Sequence, residues 1–306
     1  MSGATWSSAE MPDQTGRTIV VTGCTSGVGK YAALELARRG ARVVLAARNR
    51  AKLDATAAAI AAAAPHAVLE RLVVDLADFA SIRGAGAEAA SLGPIHVLVN
   101  NAGIMAVPFA RTADGLESQL ATNHFGPFLL TGLLLPQLVE SGDARVVAHS
   151  SSAHRRARSA PLGDPRDVDP AAYRRWDVYA QTKLANLLFT FELDQRARAA
   201  GLPLSALAAH PGLTSTNLMP PVGVPGGTAI LDAAFRAAGQ PVAVGAEPLL
   251  MAATADLPGS TYCGPSGLGE FRGLPRVVGT SRLATDRDAQ RRLWDLSESV
   301  VGLVYP

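Results

Sequence analysis

Thr18-Ile19-Val20-Val21-Thr22 runs directly into Gly23-Cys24-Thr25-Ser26-Gly27-Val28-Gly29, and Lys30 to Arg39 follows before Gly40. The first five residues are β-branched and apolar enough for a strand buried on both faces, as in a parallel sheet. The last ten carry a helical period and stop at a glycine. A strand, a glycine-rich turn and a helix start make a phosphate-binding unit. The glycines let backbone approach a pyrophosphate, and the helix N-terminus supplies N–H donors. The spacing is Gly-x3-Gly-x-Gly rather than the commoner Gly-x-Gly-x-x-Gly. A glycine turn alone serves structure as often as binding; its place between strand and helix favours a nucleotide site.

The same alternation continues outward. Strands are predicted at 41–46, 68–74, 96–100, 145–149, 204–209 and 259–264, with helices between them. The long stretch from Ala113 to Glu140 reads as helical, with Asn123 in its middle and Gly126-Pro127 interrupting it. A terminal helix is predicted over Thr285–Val301, opened by a Thr285-x-x-Asp288 capping pattern. These intervals predict an α/β fold: a Rossmann-type, doubly wound parallel sheet of about seven strands, flanked by helices on both faces. The expected organisation is a polar leader over 1–16 and a single domain over 17–306. That domain would include a substrate loop at about 213–236 and a C-terminal extension at about 264–306.

Composition narrows the function classes. The chain has 306 residues, 48% hydrophobic and 18% charged, enough for one sizeable core. A net charge of +2 gives no bulk attraction to nucleic acid. Cys24 and Cys263 have no CxxC spacing, and the six histidines lack metal-ligand spacing, so no metal is expected. The leader has no apolar h-region, and no apolar run reaches membrane length. A cytoplasmic protein without a membrane anchor is the expectation.

Chemistry concentrates at Tyr179-Ala-Gln-Thr-Lys183, which opens a helical run to Leu193. Residues four apart share a helix face, so phenol and ammonium can enter one site. A nearby cation favours phenolate, which suits proton exchange with an alcohol or carbonyl oxygen. A solvated helix face would leave the same spacing. Among 28 Lys and Arg, however, only Lys30, Lys52 and Lys183 are Lys. Arginine cannot replace a compact ammonium readily. Ser150-Ser151-Ser152 ends the fifth strand, where such sheets line their crevice. His149 and His154 nearby invite a hydrolase reading, but no Gly-x-Ser-x-Gly elbow surrounds them. His154 to Val178 is a long Arg-rich connection, and Leu218 to Gly227 an apolar stretch suited to covering a hydrophobic substrate.

Together these motifs resemble the short-chain dehydrogenase/reductase family, from Arg17 to about Tyr262. The likeness extends to its retinol-dehydrogenase and protochlorophyllide-reductase-like branch through Thr112–Glu117, Thr122–Gly126 and Lys183-Leu-Ala-Asn186. The resemblance implies a cofactor turn with Gly23, Thr25, Ser26, Gly27, Val28 and Gly29. It implies adenine-side contacts at Asp75 and Leu76, and a fourth-strand motif at Asn101, Ala102 and Gly103. Pro211, Gly212 and Thr216 would flank the nicotinamide. Asn123, Ser151, Tyr179 and Lys183 fall where the family keeps its catalytic four, with Ser150 the alternative serine. The implied activity is NAD(P)-dependent hydride transfer between cofactor and a carbonyl or alcohol. Tyr179 would be the acid/base, Lys183 would lower its pKa and bind the nicotinamide ribose, Ser151 would orient the reacting oxygen, and Asn123 would hold a relay water. A C=C reductase or a non-catalytic redox sensor could use the same motifs. A homo-oligomer is compatible.

The cofactor expectation is NADP(H) over NAD(H). An acidic residue after the second strand would bind the adenosine ribose 2′-OH. Here the residues are Ala46-Ala47-Arg48-Asn49-Arg50, and Arg48 suits a 2′-phosphate.

Overall fold

β1 (Thr18–Thr22) is buried along its whole length, and the alternation of its side chains builds both layers of the molecule. Val20 joins Leu72, Leu98 and Phe128 on one face, while Ile19 and Val21 join Leu36, Leu45 and Leu250 on the other. Burying each such side chain contributes about 1.5–3 kcal/mol. A charge at Val20 or Val21 would therefore break a layer at its centre. The computed structural model describes residues 6–214 and 239–306.

Around β1 lie β2 (Arg42–Ala47) and β4 (Val97–Asn100), both parallel to it. Outside β2 is β3 (Val68–Val73). Outside β4 come β5 (Ala144–His149), β6 (Leu204–Ala209) and β7 (Tyr262–Pro265), all parallel. An eighth strand, β8 (Pro275–Val277), closes the edge antiparallel to β7. The order is β3-β2-β1-β4-β5-β6-β7-β8, so seven expected strands become eight among the described residues. Three residues beginning with proline carry no readable alternation. The winding reverses between β1 and β4, and ligands bind beyond the strand ends at such a reversal.

The helices α1 (Gly27–Arg38), α2 (Arg50–Ala63) and α3 (Phe79–Ala89) follow the first three strands. Asp78 caps α3 by accepting from the N–H groups of Ala80 and Ser81. The expected helix over 113–140 is instead a chain of pieces: α4 (Ser118–Leu120), a π-wound turn Ala121–Phe125, α5 (Gly126–Leu133) and α6 (Leu135–Glu140). Prolines sit in the first turns of α5 and α6, where their missing N–H costs least.

α7 (Arg175–Ala199) starts one turn before Tyr179 and lies between two apolar layers. Phe189 and Leu193 pack toward the sheet, while Leu184, Leu188 and Phe191 pack against Ala289 and Leu293. α8 (Val242–Thr254) covers the opposite face. α9 (Arg287–Val301) is capped by Asp286, which accepts from Asp288 and Ala289, not by the Thr285 pattern. Thr285 belongs to the preceding 3-10 turn and donates to the Arg282 carbonyl.

The supposed leader is docked from its described start. Met11 is buried, and the Ser8 N–H and hydroxyl donate to Glu247 on α8 at 2.6 and 2.7 Å. Residues 229–238, whose sequence reads as a helix, the apolar stretch 218–227 and most of the substrate loop lie outside the described residues. Among the described residues, no helix is long and apolar enough to cross a membrane.

Candidate active site

The glycine turn is held by its neighbour across the switch point. Asn101 Nδ2 donates to the carbonyls of Thr22 and Gly23 at 2.8 and 3.4 Å. The N–H groups of Asn101 and Ala102 both donate to Thr22 Oγ1. Gly29 admits this packing: a Cβ there would stand 2.3 Å from Asn101 Nδ2 and 2.6 Å from the Gly23 oxygen. Gly23 has φ +65° and the same crowding, against Ala102. Ser26 precedes α1 but makes no side-chain cap. The first-turn N–H groups therefore remain open to an anion.

The other sequence-predicted residues gather along the carboxyl edge. Lys183 Nζ donates to the His149 carbonyl at 2.8 Å and lies 5.8 Å from the Tyr179 ring centre. Asn186 Nδ2 donates to the same carbonyl at 3.0 Å. The serines divide their work. Ser150 is buried and its hydroxyl donates to the Lys183 carbonyl, whereas Ser151 Oγ accepts from the Ala153 N–H and lies near enough to Tyr179 to act on its phenol. Asn123 sits in the π-wound turn, with Nδ2 donating to the Ile104 carbonyl and to Thr182 Oγ1. Its Oδ1 accepts from the Ile104 N–H at 2.8 Å, leaving one lone pair free. A Cβ at Gly103 would stand 3.1 Å from that oxygen and 3.6 Å from Lys183 Nζ. Gly103 thus keeps the space between the two side chains clear.

Electrostatics differ from the simple ion-pair expectation. Burial pushes the Tyr179 phenol up to about 12, with the Ser151 hydroxyl acting against it. Burial also pushes Lys183 down to about 8. The expected lowering of Tyr179 by Lys183 is absent: the ammonium faces a carbonyl, and desolvation opposes both charges. Tyr179 is protonated and Lys183 mostly charged at neutral pH.

The remaining predicted contacts are spread along the crevice. Asp75 Oδ1 accepts from the Ala77 N–H, and the Leu76 carbonyl lies so close to Gly126 that a Cβ there would meet it at 2.2 Å. Arg48 follows β2, is exposed, and has no hydrogen bond or ion pair among the described residues. Arg50 is already engaged, pairing with Asp54 at 3.6 Å. Pro211 and Gly212 are pinned from the far edge: Gln240 Nε2 donates to the Pro211 carbonyl and the Leu213 N–H to the Phe271 carbonyl. Thr216 lies outside the described residues. An open groove of about 510 Å³ runs past the start of α7, lined by Pro108, Tyr173, Arg174, Arg175, Trp176 and Asp177. Trp176 stands edge-on to Tyr179, with ring centres 6.1 Å apart.

Sequence reasoning missed several supports. His154 donates from Nδ1 to the Ser151 carbonyl and accepts from the Ser281 N–H at Nε2, so it serves no hydrolytic serine. His210 meets Glu270, and Glu270 also pairs with Arg155 of the Arg-rich connection. The serine loop and the Pro211 loop are thereby tied to one hairpin. His149 bonds Asn101, a contact spanning 48 positions that no local pattern announces.

Comparison with known proteins agrees with this geometry. The family pattern described as short chain dehydrogenase matches residues 17–160. Human retinol dehydrogenase 13 is 36% identical over 99% of this chain and 89% of its own length. Bovine retinol dehydrogenase 12 is 42% identical over 67% of this chain, a match that spans only 63% of the bovine protein. A crystal structure of an uncharacterized protein from Mycobacterium paratuberculosis superposes with TM-score 0.81 at 42% identity, covering 99% of this chain and all of that one. The chain belongs to the short-chain dehydrogenase/reductase family, in the retinol-dehydrogenase-like branch, and is an oxidoreductase.

Proposed function

We propose that this enzyme reduces an apolar carbonyl compound to its alcohol with NADPH, and runs the reverse reaction when alcohol is in excess. The observation that carries the proposal is that Tyr179 and Lys183 are buried one turn apart on α7, with Nζ 5.8 Å from the phenol ring centre and the Ser151 hydroxyl near enough to act on the phenol. When bound, the nicotinamide dinucleotide supplies the hydride.

The residues present fit that cofactor. The uncapped first turn of α1 suits a pyrophosphate, and Lys183 suits the nicotinamide ribose. The unpaired Arg48, with no carboxylate beside it, suits a 2′-phosphate.

The chain's own groups do the rest. Tyr179 holds its proton at neutral pH and donates it to the carbonyl oxygen as negative charge develops there. Ser151 Oγ orients that oxygen. The Lys183 ammonium stabilises the phenolate that forms. The free lone pair of Asn123 Oδ1, opposite Gly103, would hold a water through which the proton is restored. The raised phenol suits the acid role.

Relatives named retinol dehydrogenases make retinal a first probe, and Trp176 offers an apolar wall beside Tyr179. The experiment is a panel of aldehydes, ketones and alcohols, retinal included, followed by nicotinamide absorbance with NADPH and with NADH. Cofactor binding without turnover of any compound would refute the proposal and mark a sensor. Deuterium from labelled NADPH should appear on a carbinol carbon; label across a former C=C bond would overturn carbonyl reduction.

A further inference from the structure

His149 is used twice by this fold, and one of its atoms is left over. Its carbonyl accepts from Lys183 Nζ and Asn186 Nδ2. Its ring meets Asn101, with Nδ1 at 2.9 Å from Oδ1. The contact fixes the tautomer. Asn101 Nδ2 is committed to the Thr22 and Gly23 carbonyls, so Oδ1 is what faces the ring, and Oδ1 can only accept. Nδ1 therefore carries the hydrogen. Burial, with the charge of Lys183 and then His210 behind it, holds the imidazole down to about 3, so it is neutral. Nε2 must then be a bare acceptor. It has no hydrogen-bond partner among the described residues, and the half-buried ring leaves it accessible to a donor on a ligand.

Its position indicates what that acceptor serves. His149 ends β5, and its ring lies against the residue that follows β4, at the carboxyl rim beside the switch point. On one side Asn101 leads to the glycine turn; on the other the backbone leads to Lys183. The two anchor points of a bound dinucleotide, pyrophosphate and nicotinamide ribose, would thus bracket the imidazole. A nicotinamide riboside carries hydroxyl and carboxamide N–H donors that match an acceptor; its phosphates do not.

We propose that His149 is a further cofactor-binding residue, whose Nε2 accepts a hydrogen bond from a hydroxyl or amide N–H of the nicotinamide riboside half. This rests on the NADP(H) reading above. The competing account is a purely structural bridge between β4 and β5, in which Nδ1–H alone matters.

Two substitutions separate the roles. His149→Asn keeps a short amide donor for Asn101 and removes the distal acceptor. His149→Gln places an amide oxygen near the position of Nε2. Affinities for NADPH, reduced nicotinamide mononucleotide and adenosine 2′,5′-bisphosphate are measured by fluorescence titration, with thermal unfolding of each free protein alongside. For His149→Asn, NADPH and the mononucleotide should weaken about tenfold, as for loss of one hydrogen bond, while the bisphosphate stays within about twofold. His149→Gln should restore most of the loss. Unchanged NADPH affinity in His149→Asn overturns the proposal. So does an equal loss for NADPH and bisphosphate, the mark of a collapsed glycine turn. Wild type that binds neither would instead remove the cofactor reading itself.

Discussion

Replacing Lys183 by methionine should make the cofactor-free protein more stable while removing its activity. Lys183 is 5% exposed, and burial lowers it from 10.5 to about 8. At roughly 1.4 kcal/mol per pH unit, holding the ammonium in place costs on the order of 3 kcal/mol at low pH. Methionine fills similar space without charge. The His149 carbonyl keeps Asn186 Nδ2 as a donor, so no buried acceptor is orphaned. Imperfect packing of the thioether offsets part of the gain, leaving an expected stabilisation of about 1–3 kcal/mol near pH 7. The sign with pH follows from linkage. Between the folded and unfolded pKa values the unfolded chain binds more protons, so the wild-type handicap is full below about 8 and fades toward 10.5. Its size falls from about 3 kcal/mol at about pH 7 to about 1 kcal/mol at about pH 9.5. Urea unfolding of both proteins, followed by tryptophan fluorescence at those two pH values, reads the difference directly. A variant less stable than wild type at neutral pH, or a difference that does not shrink with pH, would refute the desolvation account of this lysine.

Three further outcomes follow from the same geometry. Tyr179→Phe should abolish turnover of a confirmed substrate while NADPH affinity stays within about threefold, because the ring still packs and only one hydrogen bond is lost; wild-type rates would exclude the acid role. Arg48→Ala should weaken NADPH about ten- to hundredfold and leave NADH nearly unchanged, as for one charged hydrogen bond; equal losses in paired titrations would remove Arg48 from the 2′-phosphate. Gly29→Ala should lower the melting temperature and NADPH affinity together, because its Cβ would overlap Asn101 and Gly23. The overlap, about 1–3 kcal/mol, exceeds the helix gain of about 1 kcal/mol from alanine. An unchanged melting temperature would mean that the turn has room.

What could be read in the sequence was what local chemistry dictates. The β-branched run before Gly23 marks β1, and the four-residue spacing puts Tyr179 and Lys183 on one helix face. Local pattern shows Asn123 only as a polar residue inside a helical stretch, and its place among the catalytic four rests on the family resemblance. The π-wound turn around it depends on the Ile104 backbone, nineteen positions away, which takes both ends of the Asn123 amide. The resemblance picks Ser151 over Ser150, and the end of β5 supplies the physical reason: the Ser150 hydroxyl turns inward to the Lys183 carbonyl, while that of Ser151 lies near enough to Tyr179 to act on its phenol. His149 lay among serines and suggested hydrolysis, because its true partner comes from another strand. β8 escaped because three residues at an edge have neither period nor core.

The electrostatics of the pair show why spacing alone misleads. An ammonium near a phenol suggests a depressed tyrosine, since charge attraction is what sequence spacing reveals. Desolvation depends on burial, which only the assembled fold supplies. Here α7 is packed on both sides, and Tyr179 and Lys183 are 8% and 5% exposed. Burial then moves the two groups in opposite directions, phenol up and ammonium down, each away from its charged form. A proton donor at neutral pH results, with a cation within reach of the ring and no ion pair formed in advance. The ammonium can then act where it lowers a barrier, when negative charge reaches the phenolic oxygen, instead of stabilising a resting phenolate. On the proposed roles this would be differential stabilisation of the transition state over the ground state, arising because the fold buries the lysine and aims it at a backbone carbonyl.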